Sequence, residues 1–248
     1  MNILVINPNI SLSVTDLIHN EARRAALPDT RITMATAPFG VAYIETPGEA
    51  AVGAYASLQL LAQQQAGHDV AVIAAFGDPG VAAAKELLDI PVVGLTESAV
   101  AAAFLLGGRF AIVGISQRIG AWYVQTVEQL GLSSRMTGYR GLKQGFASVG
   151  TVQHEAREVL REMCLSCVEQ DGADSIILAG APLAGLAREI ADQVPVPLID
   201  GVGSAIRMAE ALGRAGYEPR RSGALSPPPM KAHQGLSGGL AQLMGRQP

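Results

Sequence analysis

One pattern occurs twice in the chain: an apolar run, a turn rich in glycine and proline, a helical segment and a second short apolar run. The first copy spans residues 69–97 and the second spans residues 174–201. A shift of 106 residues superposes Ala75 on Ala181 and Pro91 on Pro197. Short apolar runs that alternate with helices are typical of buried parallel strands joined by crossovers. The repeat therefore predicts an α/β fold of two lobes related by a pseudo-twofold axis, each a mostly parallel sheet flanked by helices.

The order of the segments also predicts how the chain divides between the lobes. We expect residues 1–98, together with about 207–248, to form the first lobe and residues 99–206 to form the second. Ligands of open α/β sheets bind beyond the carboxyl ends of the strands. The sequence therefore predicts one active-site cleft between the two lobes.

Composition excludes several classes of function. The 248 residues are 49% hydrophobic and only 16% charged, with a net charge of −4 and few aromatic residues. This composition argues against a nucleic-acid surface. The chain has no long uncharged apolar run and no signal-peptide start, and two cysteines are typical of a reducing compartment. We therefore expect a cytoplasmic protein without a membrane segment, and the helices rich in alanine and glycine favour a homo-oligomer.

The predicted cleft is lined by strand ends and by the two repeated turns. Exposed N–H groups at a helix start form an anion site, and asparagine side chains at strand ends either build turns or recognise carboxylate and urea groups. Such a cleft suits a small anionic or carbonyl-rich molecule. The expected substrate-binding residues are Asn7, Asn9, Ala75, Phe76, Gly77, Thr96, Ser116, Gly180, Ala181, Pro182 and Leu183.

Four carboxylates lie near predicted strand ends or in the cleft loop: Glu45, Asp78, Glu97 and Asp200. Asp78 precedes Pro79 at a predicted helix start, which is typical of a helix cap. A carboxylate acts as a general base only when its environment tunes its pKa, so capping or ion pairing is the favoured role for each acid alone. If backbone caps hold all four, a binding protein is favoured over an enzyme.

Cys164 and Cys167 form a C-x-x-C motif inside the predicted helix 151–170. A reactive cysteine pair favours a helix N-terminus, where the thiol pKa is lowered, and zinc needs two further ligands that the sequence does not provide. We therefore interpret both cysteines as packing residues and predict no metal site. The chain also lacks the glycine-rich motifs that bind nucleotides.

Five segments together resemble the aspartate/glutamate/hydantoin racemase superfamily, and the hydantoin and allantoin racemases most of all. The resemblance covers roughly residues 1–215 and implies a two-lobed fold, no cofactor and a cleft for small carboxylates or cyclic ureides. The segments are Asn7-Pro-Asn9, Ile44-Glu45, Phe76-Gly-Asp-Pro-Gly80, Pro91-Val-Val-Gly94 and Ile199-Asp-Gly201.

The chain departs from this family at its two reactive positions. In the family, one cysteine precedes the Phe-x-Asp-Pro-Gly turn and a second follows the other central strand, and the two thiols act as acid and base. Ala75 and Ala181 stand at these positions here. Either both cysteines were replaced experimentally, or the chain is a natural branch with different chemistry. The turn Gly180-Ala-Pro-Leu-Ala-Gly185 differs from the family by more than its cysteine, which favours the natural branch.

Three functional hypotheses follow from the resemblance. In the first, water attacks a cyclic ureide, with ring hydrolysis or exchange of sulfur for oxygen on a thiohydantoin, as in enzymes similar to the thiohydantoin desulfhydrases of ergothioneine breakdown. Glu45 or Asp78 would then activate water, and turn amides would stabilise the oxyanion or thiolate. In the second, the chain is a double Cys-to-Ala variant of a hydantoin, allantoin or amino-acid racemase. In the third, it is a non-catalytic protein that binds a ureide.

Overall fold

The computed structural model describes residues 1–143, 145, 148–217, 223–229 and 231–245. Two four-stranded parallel sheets form its centre, in the strand orders β2-β1-β3-β4 and β6-β5-β7-β8. The first contains β1 (Asn2–Asn7), β2 (Arg31–Thr36), β3 (Val70–Ile73) and β4 (Val92–Gly94). The second contains β5 (Phe110–Gly114), β6 (Met136–Gly141), β7 (Ser175–Ala179) and β8 (Leu198–Asp200). Because the second order repeats the first, the predicted two-lobed α/β architecture is confirmed.

Helices flank both sheets. They are α1 (Leu12–Ala25), α2 (Pro47–Gln64), α3 (Val81–Leu87), α4 (Leu95–Leu106), α5 (Gly120–Gln129), α6 (Val152–Glu155), α7 (Arg157–Glu169), α8 (Leu186–Glu189), α9 (Gly201–Arg214) and α10 (Gly238–Met244). Among the helices of the described ranges, none is long and apolar enough to cross a membrane.

Three helix boundaries differ from the sequence predictions. The helix expected from about Pro79 begins at Val81, because Asp78 and Gly80 both adopt left-handed backbone conformations that a helix does not admit. The sequence predicts a helix of small residues over 98–107, and the structure begins this helix at Leu95, where the Glu97 side chain accepts a hydrogen bond from the Gly94 N–H. The long helix expected over 151–170 is two helices, with a break at Ala156.

The core fixes the position of the central strands. Every residue of β3 and β7 is buried, as the continuous apolar runs predicted. The largest apolar cluster joins the two sheets, since it contains Val72 and Val93 of the first as well as Ile112 and Ile177 of the second. Burying one such side chain contributes roughly 1.5–3 kcal/mol. The two lobes therefore share one core.

Candidate active site

A small cavity lies at the carboxyl ends of β3 and β7, where the two repeated turns meet. Its volume is about 20 Å³, roughly the space that one water molecule requires. A five-membered ring therefore enters only if part of the lining moves. The lining residues are Asn9, Tyr43, Ile44, Ala75, Phe76, Ile115, Tyr123, Gly180, Ala181 and Pro182.

The structure brings six of the predicted substrate-binding residues to this cavity and leaves five outside its lining. Those that line it are Asn9, Ala75, Phe76, Gly180, Ala181 and Pro182. Those outside it are Asn7, Gly77, Thr96, Ser116 and Leu183. Leu183 is fully buried in the core of the second lobe, where it packs instead of facing a ligand.

Asn7 and Asn9 have different roles although they are two residues apart. The buried Asn7 side chain donates to Asn9 Oδ1 at 3.1 Å, Ser11 O at 3.2 Å and Thr15 Oγ1 at 2.9 Å. Asn7 therefore builds the turn between β1 and α1. Asn9 borders the cavity, and its amide nitrogen donates to none of the described residues, so it is available to a ligand.

The first turn is held by Asp78 and Thr96. The sequence predicted that Asp78 caps the helix that follows it, and this prediction is wrong. The Asp78 carboxylate instead accepts hydrogen bonds from the Thr96 and Glu97 N–H groups, both at 2.8 Å, at the start of α4. The Thr96 hydroxyl accepts from the Gly77 N–H at 2.6 Å. Burial raises the pKa of Asp78 to about 7, although both backbone donors favour the charged form.

Two N–H groups of the first turn are occupied by protein acceptors. The Gly77 N–H is bonded to Thr96, and the Asp78 N–H donates to the Ala75 carbonyl at 3.2 Å. A side chain at Gly77 would overlap the Trp122 ring, and the residue has a φ of +95°. The turn is therefore closed by packing on this side, and only Ala75 and Phe76 face the cavity.

Two more of the four acids hold the scaffold. Glu97 accepts from the Gly94 N–H at 3.1 Å and pairs with Lys85 at 2.6 Å. Asp200 accepts from the Gly203 N–H at 2.8 Å and from the Gly185 N–H at 2.6 Å. Its pKa is raised by burial. With Asp78, three of the four carboxylates are therefore bound to backbone N–H groups.

Glu45 is the exception. Its half-buried carboxylate accepts a hydrogen bond from the hydroxyl of Ser116, which belongs to the other lobe. Glu45 follows Tyr43 and Ile44, and Ser116 follows Ile115, and all three of these neighbours line the cavity. The Glu45–Ser116 pair thus lies at the rim of the cavity and joins the two lobes there.

Tyr43 and Tyr123 also line the cavity, and the sequence did not suggest either of them as a site residue. Tyr123 is buried, and its ring packs 4.7 Å from Phe76, while Tyr139 meets it edge-on at 5.9 Å. Burial raises the pKa of the Tyr123 hydroxyl well above its usual range, and burial together with the Glu45 charge does the same for Tyr43. Both phenols therefore stay protonated at neutral pH. A tyrosine inside a helix carries no sequence signal that distinguishes it from a core residue.

Cys164 and Cys167 are buried in the interior of α7, outside the cavity lining. Burial raises the pKa of Cys164 to about 12 and that of Cys167 to about 11. Both thiols are therefore protonated packing residues. Among the described residues, no group of three or more His, Cys, Asp and Glu side chains could hold a metal ion.

Comparison with known proteins identifies the family. The profile of the Asp/Glu/Hydantoin racemase family matches residues 3–209. The chain belongs to this family. Among curated racemases of the family, the hydantoin racemase of Paenarthrobacter aurescens is 34% identical over 235 residues, which cover 94% of this chain and 100% of the relative.

Solved racemase structures have the same fold. Allantoin racemase from Klebsiella pneumoniae superposes with a TM-score of 0.92 at 33% identity, covering 97% of this chain and 98% of that one. Allantoin racemase from Pseudomonas fluorescens superposes with a TM-score of 0.89 at 29% identity, covering 95% and 100%. The family resemblance and the fold that it implied are therefore both confirmed.

Proposed function

We propose that this member of the racemase family is an enzyme that binds a hydantoin-like cyclic ureide in the cavity and attacks it with water. The observation that carries the proposal is the position of Ala75 and Ala181, which line one small cavity from opposite lobes. Hydantoin and allantoin racemases among the relatives support the ligand class. Neither alanine side chain can give or take a proton. The two-thiol racemisation, which exchanges a proton at the chiral carbon, therefore lacks its acid and its base in this chain.

Glu45 is the proposed base, because it is the one acid of the four that is not held by a backbone cap. Its hydrogen bond to Ser116, and the position of both residues next to cavity-lining residues in the sequence, support this role. For a 2-thiohydantoin, Glu45 accepts a proton from water while the water oxygen bonds to C2 and the C=S electrons move to sulfur. Glu45 then gives that proton to sulfur and takes the hydroxyl proton as C=O forms and the C–S bond breaks to release hydrosulfide. Glu45 finally gives this second proton to the hydrosulfide and returns to its charged form. The products are the hydantoin and hydrogen sulfide.

The cavity offers donors for the negative charge on oxygen or sulfur. Among the described residues, none accepts a hydrogen bond from the backbone N–H of Phe76 or of Ala181. Such preorganised N–H groups are effective at stabilising developing charge in enclosed sites. The same base and donors also suit hydrolysis of a hydantoin ring, in which water attacks a ring carbonyl, the C–N bond breaks and a carbamoyl amino acid forms.

Two other functions have support of their own. Racemisation is favoured by the relatives, which include a hydantoin racemase and an allantoin racemase, and applies if cysteines stood at positions 75 and 181. Ureide binding without catalysis is favoured by the backbone caps on Asp78, Glu97 and Asp200.

One assay distinguishes these functions. The protein is incubated with chiral 5-substituted hydantoins, the matching 2-thiohydantoins and allantoin, and optical rotation, sulfide and ring-opened products are followed together. We expect sulfide or a ring-opened product. Loss of optical rotation without either product would contradict water attack, and binding without any reaction would support the ureide-binding protein.

Restoring the two thiols tests whether the cavity holds a hydantoin. We expect the double variant Ala75→Cys/Ala181→Cys to racemise a chiral hydantoin, because the two thiols would face the same small cavity. The matched control is Ala75→Ser/Ala181→Ser, which adds groups of similar size that are far weaker acids. Equal racemisation by the cysteine and serine pairs, or by neither, would contradict this placement of the ligand.

Removal of the base tests the role of Glu45. We expect Glu45→Gln to lower the rate of water attack about 100-fold or more, as is typical of a lost general base, with ligand binding retained. Glu158→Gln, at an exposed acid on α7, serves as the control. An unchanged rate in Glu45→Gln would remove Glu45 from the mechanism.

The expected homo-oligomer remains a proposal. Three apolar residues at the end of α4, Phe104, Leu105 and Leu106, are 47%, 78% and 57% exposed. A row of this kind is typical of a contact surface. Light scattering coupled to size exclusion measures the mass of the particle, and a monomer at all concentrations would contradict the prediction.

A further inference from the structure

The Tyr123 hydroxyl lies beside Gly180, the residue that precedes Ala181 in the cavity lining. A Cβ atom built on Gly180 would lie 3.7 Å from this hydroxyl, and Gly180, Ala181 and Tyr123 all line the cavity. The hydroxyl makes no hydrogen bond with another described residue. A polar group in an enclosed site with no protein partner is a natural contact for a ligand.

The Tyr123 ring is fixed, so its hydroxyl has a defined position. Phe76 packs on it with centroids 4.7 Å apart, and the Trp122 and Tyr139 rings lie 5.8 Å and 5.9 Å away. The residue is also held by α5, where its N–H donates to the Ile119 carbonyl at 3.2 Å. A donor that is already oriented loses little conformational freedom when it binds a ligand.

We propose that Tyr123 is a ligand-binding residue whose hydroxyl donates a hydrogen bond to the exocyclic oxygen or sulfur of the ureide ring. The inference rests on the proposed function, because it assigns a contact to the same cavity. Ala181 and Tyr123 line the same cavity, and the raised pKa of Tyr123 keeps its proton in place at neutral pH. The residue then also contributes to specificity, because sulfur is a weaker hydrogen-bond acceptor than a carbonyl oxygen.

The test compares binding of hydantoin and of 2-thiohydantoin to wild-type protein and to Tyr123→Phe by calorimetry. The phenylalanine keeps the ring and its packing and removes only the hydroxyl. We expect affinity for hydantoin to fall about threefold to tenfold, the usual effect of one neutral hydrogen bond, and affinity for 2-thiohydantoin to fall less. Tyr55→Phe is the matched control, because Tyr55 lies on α2 outside the cavity lining.

Each outcome is decisive. Unchanged affinities in Tyr123→Phe, with binding by the wild type intact, would overturn this inference and leave the proposed function standing. An equal loss for both ligands together with a lower melting temperature would identify a packing role, and would also overturn it. Absence of hydantoin and thiohydantoin binding by the wild-type protein would overturn the proposed function, and this inference with it.

Discussion

In each of the two turns that meet at the cavity, a hydrogen bond between an aspartate carboxylate and a backbone N–H joins the turn to a later helix. The aspartate lies in the turn in one lobe and at the helix start in the other. In the first lobe, Asp78 belongs to the turn itself and reaches forward to the Thr96 N–H at the start of α4. In the second lobe, Asp200 lies at the start of α9 and reaches back to the Gly185 N–H in the turn. One half-buried carboxylate therefore joins the turn and the later helix in each lobe.

The repeat shows that the two carboxylates stand at different positions of the pattern. The shift of 106 residues pairs Gly94 with Asp200 and Asp78 with Ala184. A side chain at Gly94 would overlap the Asp78 carboxylate, so that carboxylate fills the space that Asp200 fills with its own side chain in the second lobe. Both lobes therefore use a carboxylate to join the turn to the later helix, but the carboxylates come from positions that are not equivalent in the repeat. Both carboxylates are structural.

The largest expected effect comes from moving the carboxylate of the first lobe to the position it has in the second. Asp78→Ala leaves the Thr96 and Glu97 N–H groups without acceptors, and Gly94→Asp forces two carboxylates together. We expect each change alone to lower the free energy of unfolding by about 3 kcal/mol. The double variant should recover all but about 1 kcal/mol, because Asp at position 94 can cap α4 as Asp200 caps α9. Urea denaturation measures the three values.

The recovery must depend on contact between the two positions. In the control variant Gly94→Asp/Asp16→Ala, the alanine replaces an exposed aspartate on α1, and we expect no recovery. If the effects of Asp78→Ala and Gly94→Asp simply add, the two positions are not coupled and the exchange between the lobes is a wrong interpretation.

The pH dependence of stability sharpens the comparison. The pKa of Asp78 is about 7 in the folded protein and 3.8 in the unfolded chain, so between these values the folded state binds a proton that the unfolded chain releases. The free energy of unfolding must then fall as the pH rises, by about 2 kcal/mol between about pH 5 and about pH 7.

Asp78→Asn does not titrate, and this part of the slope should disappear. Asp200, whose pKa is also raised by burial, should keep a slope of the same sign in that variant. Urea denaturation at several pH values measures both proteins. A slope that is the same in the wild type and in Asp78→Asn would show that Asp78 is not the titrating group.

Loss of the carboxylate in the second lobe should have a smaller effect. Asp200→Ala removes the cap of α9 and the acceptor of the Gly185 N–H, and we expect a loss of about 2 kcal/mol in the free energy of unfolding. Asp200→Asn keeps an oxygen for the Gly203 N–H and should lose about half as much. Thermal denaturation compares the two. Equal losses would mean that the bond to Gly203 contributes nothing.

Much of this architecture could be predicted from the sequence, because buried parallel strands are marked by short continuous apolar runs. The sequence also predicts a strand at residues 31–36, which are the bounds of β2, and the repeat predicted the two lobes. The helix after Asp78 was predicted two residues too early, since no local signal indicates that a non-glycine residue adopts a left-handed conformation. Asp-Pro also indicated a local cap, whereas the carboxylate caps a helix that begins at Leu95.

The candidate site was less predictable than the fold. Ala75 and Ala181 followed from the repeat, because residues at equivalent strand ends must meet at one edge of the lobes. Tyr123 could not be predicted, since it reaches the cavity from the middle of α5 and only the packing of three other rings orients it. Asn7 and Asn9 share a motif, and only the structure shows that one builds the turn while the other borders the cavity.

The smallest expected effect compares the two glycines that precede α3 and α8. Gly80 has a φ of +86° and Gly185 has a φ of +89°, so alanine at either position is strained by roughly 1 kcal/mol. An added Cβ at Gly80 would lie 3.1 Å from the Ala54 backbone of α2, which cannot move. At Gly185 it would meet the ends of the Glu21 and Arg188 side chains, at 3.2 Å and 3.4 Å, which can move aside. We therefore expect Gly80→Ala to lower the melting temperature more than Gly185→Ala, and the reverse order would show that the second turn is the more tightly held of the two.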